Sequence, residues 1–240
     1  MDFIMGNTGY KRILLKLSGE AISAKEQGII NFAFLDEIAE VLKKCVNDGV
    51  QVSIIVGAGN IWRGAKGVGM DRCRADNMGM LATIINALGI ESEFNRCGLP
   101  TVALSAIEIN EFVELYSAAK AKKYMEEGKV VIIGGGTGDP YFTTDTAAAL
   151  RAAELCVDAM FLAKNIDGVY DSDPQKNPDA KKYDSLTYKE MLDKQLHAID
   201  MTATSFCMEN NITSYLFGLK NPENIYRAVC GENAGTEIHN

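Results

Sequence analysis

The chain has 240 residues, of which 47% are hydrophobic, and its 24 basic and 32 acidic residues give a formal net charge of −8. This length fits one large α/β domain or two small ones, with enough apolar residues for a sizeable core. Because nucleic acid is a polyanion, the acidic balance argues against DNA or RNA binding, although a local basic pocket can still bind a small anion.

Strands and helices alternate along the chain. In chain order the pattern predicts strand Lys11–Leu17, helix Phe34–Asn47, strand Val50–Val56, helix Asp76–Leu88, strand Thr101–Leu104, helix Ser117–Glu127, strand Val130–Ile133, helix Thr144–Cys156, strand Ala159–Ala163, a helix opened by a capping box at Thr187–Glu190, helix Asp200–Asn210, strand Ser214–Phe217 and a helix begun by Asn221 and Pro222. In the second helix, one face is predicted to carry Leu81, Ile84, Ile85 and Leu88. Strands separated by helices favour a mostly parallel sheet covered on both faces.

The longest loop is predicted at Asp171–Asp184. It is either a solvated excursion or a lid at the edge of a ligand site. No linker, low-complexity stretch or internal repeat divides the chain, which favours one domain.

Cysteines and histidines predict neither a metal site nor a secreted protein. The six cysteines form no C-x-x-C pair, and His197 and His239 are far apart. Scattered thiols are typical of a reducing compartment. The sequence shows no signal-peptide pattern and no run of the ~20 apolar residues that span a bilayer. We therefore expect a soluble, cytoplasmic protein with no membrane partner.

Three glycine-bearing turns each follow a hydrophobic strand-like run, and they are the most informative feature of the sequence. They are Lys16–Glu20, Gly57–Gly64 and Gly134–Pro140. Ligands of open α/β sheets collect at the carboxyl ends of the strands, so the three turns should share one rim. Exposed backbone N–H groups beside a helix N-terminus and a cation bind phosphate. The pattern predicts two phosphate-bearing ligands facing each other.

Familiar templates fail at these turns. The run Gly59–Lys66 lacks the Lys-Ser or Lys-Thr of a Walker A loop, and Trp62 and Asp139 stand where a dinucleotide fingerprint needs its third glycine. Near Asp171, Lys176 and Lys182 replace the glycine and the glutamate of a calcium loop. A Rossmann dehydrogenase and a calcium-binding loop are therefore disfavoured.

Charged residues at the turns suggest phosphoryl transfer. Lys16 is either a phosphate-binding cation or a surface lysine at a strand end, and Arg63 either binds phosphate or pairs with an acid. Thr144 could cap the following helix, and Asp145 could complement the helix dipole, orient a phosphate-binding lysine or help to hold Mg²⁺. Phosphoryl transfer needs two phosphates held in line and charge neutralised between them. Tyr170 is a hairpin core residue or a stacking face for a base.

Five ordered motifs together resemble the bacterial UMP kinases (uridylate kinases) of the amino acid kinase superfamily. They are KRILLKLSGE at 11–20, GAGNIWRG at 57–64, DNMGMLAT at 76–83, TGDPYFTTD at 137–145 and KNIDGVYDSDP at 164–174. The likeness extends from about Tyr10 to Gly235–Ile238, so residues 10–240 are expected to form one domain preceded by a tail at residues 1–9.

The resemblance implies an α/β fold, a three-layer α/β/α sandwich whose central, mostly parallel sheet has about eight strands. It implies transfer of the γ-phosphate of ATP to UMP, giving UDP and ADP in pyrimidine nucleotide (UTP and CTP) synthesis. It also implies Mg²⁺ delivered with ATP, a cytoplasmic homohexamer, activation by GTP and inhibition by UTP.

The resemblance also implies roles for individual residues. The implied catalytic residues are Lys16, Arg63 and Asp145, the last organising the catalytic lysine. The implied ATP-binding residues are Lys16, Leu17, Ser18, Gly19, Gly59, Arg63, Lys164, Asn165, Tyr170 and Asp173. The implied UMP-binding residues are Ala58, Asp76, Thr137, Gly138, Asp139, Pro140, Tyr141, Phe142, Thr143 and Thr144. The implied GTP-responsive residues are Ala24, Lys25, Glu26, Gln27, Gly28 and Ile29.

Two alternatives remain open at this point. A kinase of the same superfamily could act on a carboxylate or a carbamate, and a nucleotide sensor could bind without turnover. The acceptor loop at 137–144 and the two cations favour the nucleotide kinase.

Overall fold

A computed structural model describes residues 9–23, 28–62 and 69–240. The strands in these ranges are β1 Arg12–Leu17, β2 Gln51–Val56, β3 Thr101–Ser105, β4 Glu114–Leu115, β5 Val130–Gly134, β6 Ala159–Lys164, β7 Ser185–Thr187, β8 Ser214–Gly218 and β9 Gly235–His239. The helices are α1 Phe32–Asn47, α2 Arg72–Arg96, α3 Ala118–Glu126, α4 Thr144–Leu155, α5 Tyr188–Asp193, α6 Met201–Glu209 and α7 Glu223–Val229.

The strands form one sheet in the order β4-β3-β5-β2-β1-β6-β8-β9-β7. Every pairing is parallel except that of β8 with β9. The predicted α/β class with a mostly parallel sheet is confirmed. The resemblance implied about eight strands, and the described ranges contain nine, including the two-residue strand β4.

Two apolar clusters cover the two faces of the sheet. Alternate side chains of a strand point to opposite faces, so Ile13 and Leu15 of β1 pack with α1, α2 and α7. Leu14 packs on the other face with α3, α4, α5 and α6. This arrangement confirms the predicted three-layer sandwich.

Helix α2 differs most from its prediction. It has 25 residues and begins before and ends after the predicted helix. Ile84 is buried and Leu88 packs against the core, but Leu81 and Ile85 are about half exposed, so the predicted apolar face is only partly covered. Four of the nine buried residues of α2 are alanine or threonine, and the helix approaches β5 closely, since a Cβ on Gly134 would lie 3.0 Å from the Ile84 side chain.

Local capping signals agree better with the structure. Thr187 and Glu190 form the predicted capping box at the start of α5. Asn221 accepts a hydrogen bond from the Glu223 N–H at the start of α7, and Pro222 has helical dihedral angles. In the ranges described, no helix is both long enough and apolar enough to cross a membrane.

Candidate active site

The three glycine-bearing turns lie on one rim of the sheet, as predicted. They follow β1, β2 and β5, which are adjacent and parallel. The first two turns also contact each other, because the Gly57 N–H donates to the Leu17 carbonyl at 2.9 Å. A Cβ on Gly19 would lie 2.6 Å from the Gly57 carbonyl oxygen. Only glycine permits this approach, which explains the residue type at position 19.

Two lysines and one aspartate form the centre of this rim. Lys16 Nζ lies 2.8 Å from Asp145 Oδ1, and Lys164 Nζ lies 2.8 Å from Asp145 Oδ2. Lys164 also donates to the Ala198 carbonyl at 2.5 Å. Lys16, next to last in β1, lies on the face of Leu14, and Lys164 ends the neighbouring strand β6 on the face of Leu162. Strand alternation therefore aims both lysines at the first turn of α4, where Asp145 lies.

The centre is buried and charged. Lys16 is only 8% exposed, which rules out the alternative of a surface lysine at a strand end. Burial alone would raise the pKa of Asp145, but the positive charges of Lys16 and Lys164 outweigh burial and lower the pKa to about 2. Burial lowers the pKa of Lys164 more strongly than Asp145 raises it. Because two cations face one carboxylate, Asp145 stays ionised between them.

Thr143 begins α4 and connects it to α6. Its hydroxyl accepts hydrogen bonds from the N–H groups of Asp145 and Thr146 at 3.1 and 3.2 Å. The predicted cap at Thr144 is therefore wrong by one residue. The Thr143 hydroxyl donates to Asp200 Oδ2, and Asp200 itself caps α6 by accepting from the Ala203 N–H. This chain of caps fixes the helix turn that carries Asp145.

A first cavity of about 370 Å³ opens on one side of the centre. The residues implied for UMP that line it are Ala58, Asp76, Thr137, Asp139, Phe142, Thr143 and Thr144. Gly138, Pro140 and Tyr141 belong to the same loop but do not line it. The structure thus brings most of the implied UMP residues together around one cavity.

Asp76 joins this loop to α2. Its Oδ2 atom accepts hydrogen bonds from Arg72 Nε at 2.7 Å and from the Tyr141 N–H at 2.8 Å. The Arg72 guanidinium lies over the Tyr141 ring, 5.3 Å from its centroid. Tyr141 has a left-handed backbone, with φ of 71°. Asp76 therefore holds the loop at the mouth of the first cavity.

A second cavity of about 790 Å³ opens on the other side of the centre and shares no lining residue with the first. The residues implied for ATP that line it are Lys16, Ser18, Lys164, Asn165, Tyr170 and Asp173. Part of the predicted loop 171–184 forms its edge. Tyr170 and Lys182 form an antiparallel β-bridge at the base of that loop, which brings the two ends of the loop together.

Other implied residues lie beside the cavities or outside the described ranges. The Leu17 side chain is fully buried in the core. Gly59 lies close to Glu20, since a Cβ added to Gly59 would be 3.1 Å from the Glu20 side chain. Arg63 lies outside the described residues, as do Ala24, Lys25, Glu26 and Gln27. Gly28 has a left-handed φ of 121°, and the Ile29 carbonyl accepts from Asn60 Nδ2 at 2.7 Å.

Sequence reasoning missed several polar residues that support the site. Asn86 lies fully buried in α2 and donates to the Gly57 carbonyl at 2.8 Å. Thr83 accepts from the Gly135 N–H, and Trp62 donates to the Ala75 carbonyl, each at 2.8 Å. An asparagine within an apolar helical run was a usable signal for Asn86. Asp200 gave no signal, because its contact with Thr143 depends on how distant helices pack.

The carboxylates at the centre are already engaged. Both oxygens of Asp145 face lysines, and Asp200 caps a helix and contacts two threonines. Among the described residues, the one group with metal-ligand spacing is Asp36, Glu93 and Cys97, at the C-terminal end of α2. With the Asp145 oxygens facing lysines and Asp200 capping a helix, the centre itself offers few free carboxylate oxygens that could ligate a metal ion directly.

Comparison with known proteins places this architecture. Residues 11–218 match the model of the amino acid kinase family. Among solved structures, the UMP kinase of Bacillus anthracis superposes with a TM-score of 0.91 at 36% identity, covering 96% of each chain. The UMP kinase of Ureaplasma parvum gives 0.90 at 42% identity, covering 96% of this chain and 99% of that one. The uridylate kinase of Archaeoglobus fulgidus gives 0.72 at 27% identity, with 94% and 99% covered. The family model matches most of the chain, and two of these structures superpose on nearly all of it at more than 30% identity, so the chain belongs to the amino acid kinase family.

Proposed function

We propose that this protein transfers the γ-phosphoryl group of ATP to UMP, giving ADP and UDP. The observation that carries the proposal is the pair of separate cavities flanking the Lys16–Asp145–Lys164 centre. ATP is assigned to the second cavity and UMP to the first. Similarity to two UMP kinases at 36% and 42% identity supports the choice of acceptor.

The reaction needs little covalent help from the protein. A phosphate oxygen of UMP forms the new bond to the γ-phosphorus, the bond from that phosphorus to the β,γ-bridging oxygen breaks, and its electron pair leaves with ADP. The second proton of a phosphate monoester has a pKa near ~6, so UMP is largely a dianion at neutral pH and needs no general base. The protein's work is to hold both phosphates in line.

Lys16 and Lys164 supply positive charge where negative charge builds up. Lys16 is buried and the Lys164 side chain is only 19% exposed, so their effect on a phosphate is stronger than it would be in water. Asp145 keeps both ammonium groups oriented before the nucleotides bind. Mg²⁺ bound to the ATP phosphates would neutralise further charge on the transferred group. Arg63, next to the second turn in sequence, is proposed to contact the ATP phosphates.

Regulation, assembly and location follow the resemblance. We propose that the protein acts in the cytoplasm in pyrimidine nucleotide synthesis, forms a homohexamer, is activated by GTP and is inhibited by UTP. The hydrogen bond from Asn60 to the Ile29 carbonyl supports a link between the implied GTP-responsive segment and the second turn. Exposed Met78, Leu81 and Ile85 along one side of α2 support self-association, because large apolar side chains gathered on a surface favour burial. Analytical sedimentation tests the oligomeric state. Initial rates of UDP formation measured at increasing GTP or UTP concentrations test the regulation.

An acceptor scan with ATP tests the activity. The purified protein is given Mg²⁺ and ATP with UMP, CMP, aspartate, glutamate or carbamate, and ADP release is coupled to a visible signal. We expect turnover with UMP and at least tenfold less with CMP. Activity on an amino acid or carbamate alone would reject the assignment, and UMP binding by calorimetry without turnover would favour a sensor.

A further inference from the structure

Arg151 is a buried arginine on α4 that is aimed at the third glycine turn rather than at solvent. Its side chain is 6% exposed. Atom Nη2 lies 3.4 Å from the Gly136 carbonyl oxygen and 3.3 Å from the Thr137 carbonyl oxygen, as a donor shared between the two. Gly136 and Thr137 both line the first cavity. The guanidinium therefore contacts the backbone of the proposed acceptor site without entering the reaction centre.

The guanidinium is itself held on its other sides. Arg151 Nη1 pairs with Glu154 Oε2 at 2.8 Å. Its Cζ atom lies over the Tyr116 ring, 4.4 Å from the centroid, and the Tyr116 hydroxyl donates to the same Glu154 oxygen at 2.7 Å. A cation fixed by a carboxylate and an aromatic face has little freedom to follow a moving loop. Because the guanidinium is already fixed, its hydrogen bonds to the Gly136 and Thr137 carbonyls restrict the movement of the third glycine turn.

The third turn needs such a constraint. Gly135, Gly136 and Gly138 all have left-handed φ values, of 83°, 62° and 94°. Glycines have the widest conformational freedom, and a turn built from them has few side chains to fix its shape. In a trans peptide the carbonyl and the next N–H point in opposite directions. Holding the Gly136 carbonyl on Arg151 therefore turns the Thr137 N–H away from the guanidinium and keeps its direction fixed.

Stability alone does not account for an arginine at this position. Burying a charge costs free energy even when the charge is paired. In addition, the buried Nε of Arg151 has no hydrogen-bond partner among the described residues. An apolar side chain of similar length would avoid both costs but would leave the two carbonyls unheld. The arrangement makes sense if the shape of the turn matters to a ligand.

We propose that Arg151 is a positioning residue for the acceptor: through the Gly136 and Thr137 carbonyls it keeps the third glycine turn in the shape that binds the nucleoside monophosphate. This inference rests on the proposed function, since the first cavity is taken as the UMP site. Arg151 touches neither the reacting phosphates nor the Lys16–Asp145–Lys164 centre in any contact described. Its loss should weaken the binding of UMP and leave that of ATP unchanged.

The test is a kinetic comparison of Arg151→Lys with wild type and with Arg12→Lys. Lysine keeps the charge but lacks the planar fork that serves Glu154 and the two carbonyls together. Arg12 is a matched control, because its guanidinium also donates to a carbonyl, that of Leu155, but at the start of β1 and away from the rim. For Arg151→Lys we expect the KM for UMP to rise about tenfold and the KM for ATP to change less than twofold. For Arg12→Lys we expect a lower melting temperature with both KM values unchanged.

Two further measurements make the result decisive. Calorimetry on Arg151→Lys should show the same weakening of UMP binding without turnover. Should that variant fail to fold, Glu154→Gln loosens the guanidinium while leaving Arg151 in place, and it too should raise the KM for UMP selectively. Equal changes in the two KM values, or none, would overturn the role of Arg151. Absence of UMP turnover in wild type would instead overturn the proposed function.

Discussion

Lys16 is the residue on which the proposed chemistry depends most directly. In Lys16→Met, the transferred phosphoryl group loses a buried cation, while Asp145 keeps Lys164 as a partner. We expect kcat to fall by about 10²–10³, comparable to the removal of one preorganised electrostatic donor. The protein should still fold, because β1 keeps its apolar residues.

The control for this variant is Lys43→Met. Lys43 lies on α1 and pairs only with Glu40 among its described contacts. A steady-state assay of UDP formation with circular dichroism of both variants measures the effect. An unchanged kcat in folded Lys16→Met would exclude Lys16 from the chemistry.

Asp145 should make the stability of the protein depend on pH in the acid range. Its pKa is lowered to about 2, below the value of about 3.8 for an ordinary aspartate. The stabilisation is therefore complete above about pH 4 and is lost as the pH falls toward 2. A shift of this size corresponds to about 2 kcal/mol in the free energy of unfolding.

Urea unfolding of wild type and Asp145→Asn at several pH values between 6 and 3 tests this dependence. We expect the difference between their free energies of unfolding to shrink as the pH falls, because protonation removes from wild type what the substitution has already removed. A difference that stays constant across this range would contradict the assigned pKa.

At the same scale, sequence reasoning and the resemblance linked Asp145 to a catalytic lysine but did not identify Lys164 as its second partner. Lys16 ends an apolar strand and Asp145 begins a helix, and both signals are local. The pairing of Asp145 with Lys164 as well requires β6 to lie next to β1, which no local pattern specifies. Asp200 could not be found for the same reason.

At the scale of elements, Gly19 tests whether the first two turns form one binding surface. In Gly19→Ala the new methyl carbon would lie 2.6 Å from the Gly57 carbonyl oxygen and 2.8 Å from the Gly59 nitrogen. Both atoms belong to the backbone, so the two turns must separate. We expect a loss of roughly 1–3 kcal/mol in stability and a raised KM for ATP.

Gly9→Ala is the control for this change, because a Cβ on Gly9 meets nothing within 4 Å. Thermal melts and initial rates with varied ATP distinguish the two variants. A Gly19→Ala protein with the wild-type KM for ATP would show that the ATP site does not depend on contact between the turns.

Helix α2 illustrates where elements escape prediction. Apolar periodicity grouped the larger side chains on one face, yet packing close to β5 buries Ala82 and Ala87 together with Ile84, which is the one residue of the predicted group that is fully covered. Leu81 and Ile85 remain on the outer side. Periodicity reports which residues are apolar, and only the packing partner decides which apolar residues are covered.

For the whole molecule, alternation of strands and helices was enough to predict the class of fold. The order of the strands was not predictable, because parallel strands can be joined in many arrangements that satisfy the same pattern. The placement of β1 between β2 and β6 carries the function, since it brings Lys16 and Lys164 to one face. The three glycine-bearing turns could be assigned to one rim, because the carboxyl ends of parallel strands always lie at the same edge of the sheet.

The two cavities should bind their ligands separately, because they share no lining residue. A ligand that binds only the folded protein stabilises it by about 2.7 kcal/mol at 100 times its Kd. For a chain of this size that is a rise in melting temperature of roughly 5–10 °C. We expect UMP and a non-hydrolysable ATP analogue each to produce such a rise.

Asp76→Asn should reduce the rise caused by UMP alone, because Asp76 lines the first cavity and holds the Tyr141 loop. Asn165→Ala should reduce the rise caused by the ATP analogue alone, because Asn165 is exposed in the second cavity. Thermal melts of the three proteins with each ligand measure all six values. If either variant reduced both rises equally, the assignment of one nucleotide to each cavity would be wrong, since the substituted side chain would then act on the whole fold rather than on one site.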